Sequence, residues 1–294
     1  MTQVNIVDTI PAFLEFWTRV QHDPLAVQIE RWASEYIARW PELLDKQLAD
    51  YASQNVDWRQ VAREKVFPFL GERLPAMQQA HVHLLDTCPS LYRQAQKALP
   101  FEGNVTFVLY VGLGCGAGWV STYQGLPAIL FGLENIAECG WSDADSITGL
   151  VAHELGHAVH HLWRVPAGLS EEAGPWWQLY SEGFAQRCEQ VILGEDNWHE
   201  TANSEDDDWL NWCQAHKAWL AAEFLSRVCS GGDLRPFFGS WYELEGHSQC
   251  GYFLGEEAIK VLEAKTSMRE IALFGDPERH LRPVLEQFVE AERA

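Results

Sequence analysis

Through most of the chain, apolar residues recur three and four positions apart, the spacing of helices with one buried stripe. The clearest case is 143–163. There Ile147, Leu150, Val151, Leu155, Ala158, Val159 and Leu162 make one stripe, and Asp143 stands where an N-cap belongs. A second helix is predicted from Pro175, with Trp177, Tyr180, Phe184, Cys188, Val191 and Ile192 on its apolar side. Upstream, a short strand over 4–10 and a helix over 11–20 precede predicted helices at 25–40, 41–51, 57–67, 74–86 and 90–99. Pro41, Pro68, Pro75 and Pro89 punctuate them. Trp32, Tyr36 and Trp40, spaced at four, read as a stripe packing on core. Near Pro100 the pattern changes. Residues 105–111 (VTFVLYV) read as a buried strand, followed by the glycine run at Gly112, Gly114, Gly116 and Gly118 and by strands at 120–123 and 128–133. A helix over 209–229, a short one opened by a Ser267/Glu270 capping box and a last one over 281–291 follow. The expected fold is α+β and mostly helical. A helical subdomain over 1–100 would cover one side of a domain over 101–294 with a small twisted sheet.

The 143–163 helix carries His153-Glu154-Leu155-Gly156-His157. Histidines four apart lie one turn above each other, with roughly 6 Å between their Cβ atoms, so both rings can reach one cation. Glu154 points about 100° round the helix from His153, beside such an ion, where a base must stand to take a proton from water. His161 lies too far along the axis to share that ion, about 12 Å from His153, and His160 suffers similarly; both read as flanking or surface groups. Gly156 weakens the helix by about 1 kcal/mol relative to Ala, which fits a close approach at that point. The best third ligand is Glu182, set mid-helix among Tyr180, Gly183, Phe184 and Ala185, where a bare charge would cost several kcal/mol. Three ligands from two helices leave a position for water.

Charge and cysteines narrow the rest. The formal net charge of −21 argues against nucleic acid or an anionic membrane as partner. Seven cysteines without a Cys-x-x-Cys read as reduced core residues of a cytoplasmic protein. No signal peptide is visible, and no apolar run approaches 18 residues. The glycine run lacks the Lys-Ser/Thr of a phosphate loop and reads as a turn in which backbone nears backbone. The acidic stretch 194–208 reads as a solvated loop with His199 exposed.

His153-Glu154-x-x-His157, followed by Glu182 in Ser-Glu-Gly-Phe-Ala, resembles the gluzincin zinc metallopeptidases. Within them it most resembles an uncharacterised bacterial group of predicted zinc-dependent proteases, over about 105–265. The resemblance implies a zincin-like core in which His153, His157 and Glu182 bind zinc and Glu154 is the general base. The substrate would be a peptide or protein, bound along an open edge strand, for which 127–131 is the candidate. It further implies an oxyanion donor from a later segment, Tyr252 first, with His247 and Tyr242 in reserve. One departure is Gln186, at a place where better-known gluzincins carry an aspartate that braces a histidine. Gly132-Leu133-Glu134-Asn135 is similar to the box that holds the substrate amine in gluzincin aminopeptidases; an ordinary strand end is the competing reading. The other alternative is a zinc-binding protein without proteolytic activity.

Overall fold

In the computed structural model, which describes residues 4–170, 173–194, 198, 209–239 and 242–291, the change of pattern near residue 100 becomes a four-stranded mixed sheet. Its strands are β1 (Asn5–Asp8), β2 (Thr106–Tyr110), β3 (Gly118–Tyr123) and β4 (Leu126–Gly132), in the order β1-β2-β4-β3. β2 pairs in parallel with β1 and β4, Thr106 facing Ala128, whereas β3 runs antiparallel to β4 with Gly118 facing Phe131. Every β2 residue is buried, as an unbroken apolar run in a parallel pair requires. The expected edge strand at 127–131 is corrected here: β4 lies between β2 and β3, and the edges are β1 and β3, the latter with four residues half-buried and one exposed.

The chain divides into two compact units, one of 1–94 and 103–154, the other of 95–102 and 155–294. A division at residue 100 is not where the contacts fall, because β1 pairs with β2 and binds the N-terminal stretch to the sheet. In the first unit the helices are α1 (Ile10–Val20), α2 (Leu25–Arg31), α3 (Pro41–Ser53), α4 (Trp58–Val61), most of α5 (Leu70–Ala98) and α6 (Leu133–Glu138). The aromatic stripe packs on core as expected. Trp32 Nε1–H donates to the Val111 carbonyl at 3.1 Å, and the Tyr36 hydroxyl accepts the Val111 N–H at 3.0 Å. Both partners lie just past β2, and the helix loosens into a π turn over Trp32–Tyr36 where these rings reach it. A second difference is α5, one helix through Pro75 and Pro89 where two were expected. Leu70, Met77, Ala80, Leu84, Cys88, Leu91 and Ala95 are buried on both sides of the two prolines, and burying them outweighs a penalty of about 3 kcal/mol at each.

Helix α7 (Ala144–Arg164) starts in the first unit and ends in the second. Asp143 caps it, accepting the N–H groups of Asp145 and Ser146 at 3.0 Å each. At its other end the buried Arg164 guanidinium donates to the carbonyls of Ser170, Ala272 and Phe274. The second unit continues with α8 (Pro175–Leu193), α9 (Trp209–Ala215), α10 (Lys217–Ser230), α11 (Arg235–Phe238), α12 (Cys250–Glu263), α13 (Met268–Ala272) and α14 (Pro277–Ala291). Two glycine contacts hold α8 between its neighbours. A Cβ on Gly156 would lie 2.8 Å from the Ala185 backbone, and one on Gly183 only 2.2 Å from that of Gly255, so α7 and α12 both touch α8 backbone to backbone. The approach predicted at Gly156 is therefore that of α8. The helix expected over 209–229 breaks at His216, whose ring turns back so that Nδ1 meets the Trp212 carbonyl at 2.8 Å. The Ser267/Glu270 capping box forms as read. Among the described residues no helix is long and apolar enough to cross a membrane.

Candidate metal centre

Helix periodicity puts His153 and His157 on one side of α7, and the Gly156 contact brings α8 up to that side. His157 Nε2 lies 3.1 Å from Glu182 Oε2, while its Nδ1 lies 3.2 Å from Ser181 Oγ. One ligand atom from each of His153, His157 and Glu182 falls within 4.8 Å of the others. Two ligands bound at about 2.0–2.1 Å on a tetrahedral ion stand roughly 3.3 Å apart, so the 3.1 Å pair already has the separation a shared cation needs. Two imidazole nitrogens and a carboxylate oxygen are a donor set suited to zinc. If Nδ1–H is donated to Ser181, the Nε2 lone pair of His157 is turned toward Glu182 and a shared cation; in the other tautomer Nε2–H donates to the Glu182 carboxylate.

Glu154 is 5% exposed and stands against the start of β3. A Cβ on Gly118 would come within 2.6 Å of its Cγ and of Oε1, so the carboxylate occupies space that only glycine leaves open. Gly118, the last glycine of the 112–118 run, thus makes room for the glutamate, a task that spacing in the sequence does not reveal. Ser181 is the other residue missed; its role appears only when α8 is seen beside His157.

No protein-family model, curated protein or solved structure matches the chain. The site's chemistry rests on its own geometry.

His160 is a core group: its ring stacks on Phe184 and Trp177, and burial, reinforced by Arg164, holds it well below the ordinary imidazole value. His161 is half-buried on the last turns of α7. Gln186 is fully buried on α8. Tyr252 is half-buried at the start of α12, its ring 6.2 Å from that of Phe238. The His247 ring stacks on Trp212 at 4.1 Å, and Tyr242 is exposed beneath the Arg235 guanidinium. Glu134 is buried, and its two oxygens accept the N–H groups of Gly112 and Gly114 at 2.8 and 2.9 Å. Burial still raises its pKa against those bonds. His199 lies outside the described residues.

Proposed function

We propose that the α7–α8 pair is the centre of a zinc-dependent peptidase of gluzincin type, with zinc held by His153, His157 and Glu182. The observation that carries this reading is the convergence of those three ligand groups within 4.8 Å, beside a buried glutamate on the same helix turn. Zinc in such a site supplies Lewis acidity, activating water and polarising a carbonyl. Glu154, held by its fit against Gly118, takes the proton from the attacking water and returns it to the leaving amine. Ser181, at 3.2 Å from Nδ1, orients the His157 ring and can accept a hydrogen bond from Nδ1–H when Nε2 binds the metal.

A polypeptide substrate is favoured by β3, an edge strand of the sheet, whose first residue, Gly118, lies against Glu154 and whose outer backbone could take an extended chain. Tyr252 is the preferred oxyanion donor. It lies one turn before Gly255, the residue through which α12 meets α8, and so shares that face, whereas the His247 ring is stacked on Trp212. Glu134 already has a task in holding the glycine run, and nothing in its surroundings favours an amine-binding role.

The test is digestion of an end-blocked peptide library by the zinc-loaded protein and its Glu154→Gln variant. Cleavage by the parent and a loss of at least about 100-fold in the variant, with zinc retained, is the expected result. Equal cleavage by both would remove Glu154 from the chemistry.

A further inference from the structure

Away from α7, the second unit contains a cavity of about 370 Å³ lined by Trp212, His216, Trp219 and Glu245. Its walls come from the broken helix α9–α10 and from the turn before α12. Trp212 and Trp219 stand edge to face, 6.1 Å between centroids, and both are half-buried, so aromatic surface borders open space. His216 donates Nδ1–H to the Trp212 carbonyl at 2.8 Å, which makes Nε2 the acceptor of the unprotonated ring. Glu245 supplies the charge. It sits in a two-residue turn closed by reciprocal bonds between Leu244 and His247, with φ of +51° at Glu245 and +86° at Gly246. That pattern suits Asn-Gly or Gly-Gly, and a glutamate there is strained without improving the turn. Its use is found in the cavity it lines. No lysine or arginine joins it among the described lining residues.

We propose that this cavity binds an organic cation bearing N–H groups, a primary ammonium or a guanidinium. The faces of Trp212 are taken by the stacked rings of His216 and His247, at 4.4 and 4.1 Å, so the cation would lie against the indole of Trp219, pair with the Glu245 carboxylate and donate to His216 Nε2. A wholly apolar ligand would leave Glu245 and His216 unanswered, and an anion would meet a carboxylate in a chain of net charge −21. Two sources carry this chemistry: a free amine or guanidine, and a lysine or arginine side chain on a polypeptide. The proposal is independent of the metal centre.

Indole N–H resonances of the full-length protein report on it directly. Butylammonium and butylguanidinium are titrated, alongside neutral butanol and the end-blocked tripeptides Gly-Lys-Gly and Gly-Arg-Gly. Saturable shifts of the Trp212 and Trp219 signals are expected with the cations and not with butanol, and at least tenfold weaker binding is expected in Glu245→Gln. Tripeptides binding as tightly as the free cations would identify a side chain as the natural ligand; binding by the free cations alone would identify a small molecule. Glu245→Gly separates lost binding from lost folding, because glycine accepts the positive φ: binding should disappear while the melting temperature holds or rises. Equal shifts with butanol, undiminished binding by Glu245→Gln, or no shift with any cation would overturn the proposal.

Discussion

Two glutamates in apolar settings, Glu134 in the first unit and Glu182 in the second, meet opposite surroundings. Glu134 is buried with backbone N–H donors on both oxygens, so its charge is answered by the fold itself. Glu182 faces a histidine nitrogen at 3.1 Å, and a second imidazole lies within reach of the same point. Imidazole lone pairs and a carboxylate attract the same thing, a cation. A partly buried carboxylate is thus read by what surrounds it: amide donors on both oxygens mark a structural brace, and a carboxylate grouped with two imidazoles marks a candidate cation site.

The comparison can be broken most sharply at Gly118. Alanine there would press on Glu154 while leaving His153, His157 and Glu182 in place, so peptide hydrolysis should fall by about 100-fold with zinc affinity unchanged. Steady-state kinetics beside a zinc titration would show whether the two separate; equal losses in both would mean that the glycine serves the whole site.

For Glu134 the expected loss is stability. Glu134→Gln leaves one of the Gly112 and Gly114 amides without its oxygen and should cost about 1–3 kcal/mol in chemical denaturation at pH 7. The pH trend follows from the raised pKa. The folded protein binds this proton more tightly than the unfolded chain, so the parent gains stability as pH falls from above the raised value to below the ordinary 4.5. Glutamine gains nothing over that range, so the gap between parent and variant should widen toward pH 4. A gap that closes would show that the carboxylate is held as the anion.

The smallest effect is expected at Ser181. Ser181→Ala removes the hydroxyl at His157 Nδ1 and should weaken zinc binding roughly tenfold, with Ser181→Thr restoring most of it. Unchanged affinity in the alanine variant would show that the hydroxyl does not support the metal-binding ring.

Helix α7 and its two imidazoles are legible in the chain because a 3.6-residue period puts positions four apart on one face wherever the helix forms. Glu182 stands out because a carboxylate among Phe, Tyr and Gly needs a reason to be there. Strand order is another matter. Alternation marks β3 and β4 as strands, but which is the edge depends on pairing with β2, and the register that decides it lies in a different part of the chain. Proline likewise misleads at 75 and 89, since the stripe that carries α5 through them is longer than any local window. Ser181, Gly118 and the Trp212 cavity depend on contacts between segments far apart in sequence, and no spacing announces them.

The proposed function requires His153, His157 and Glu182 to hold one divalent cation. Its most direct test is zinc titration of the chelator-stripped protein and of Glu182→Ala, with folding of each checked by circular dichroism. One zinc per chain, bound more than about 100-fold more weakly by the folded variant, is the predicted result. A parent that binds none, or a Glu182→Ala variant that binds as tightly, would contradict it.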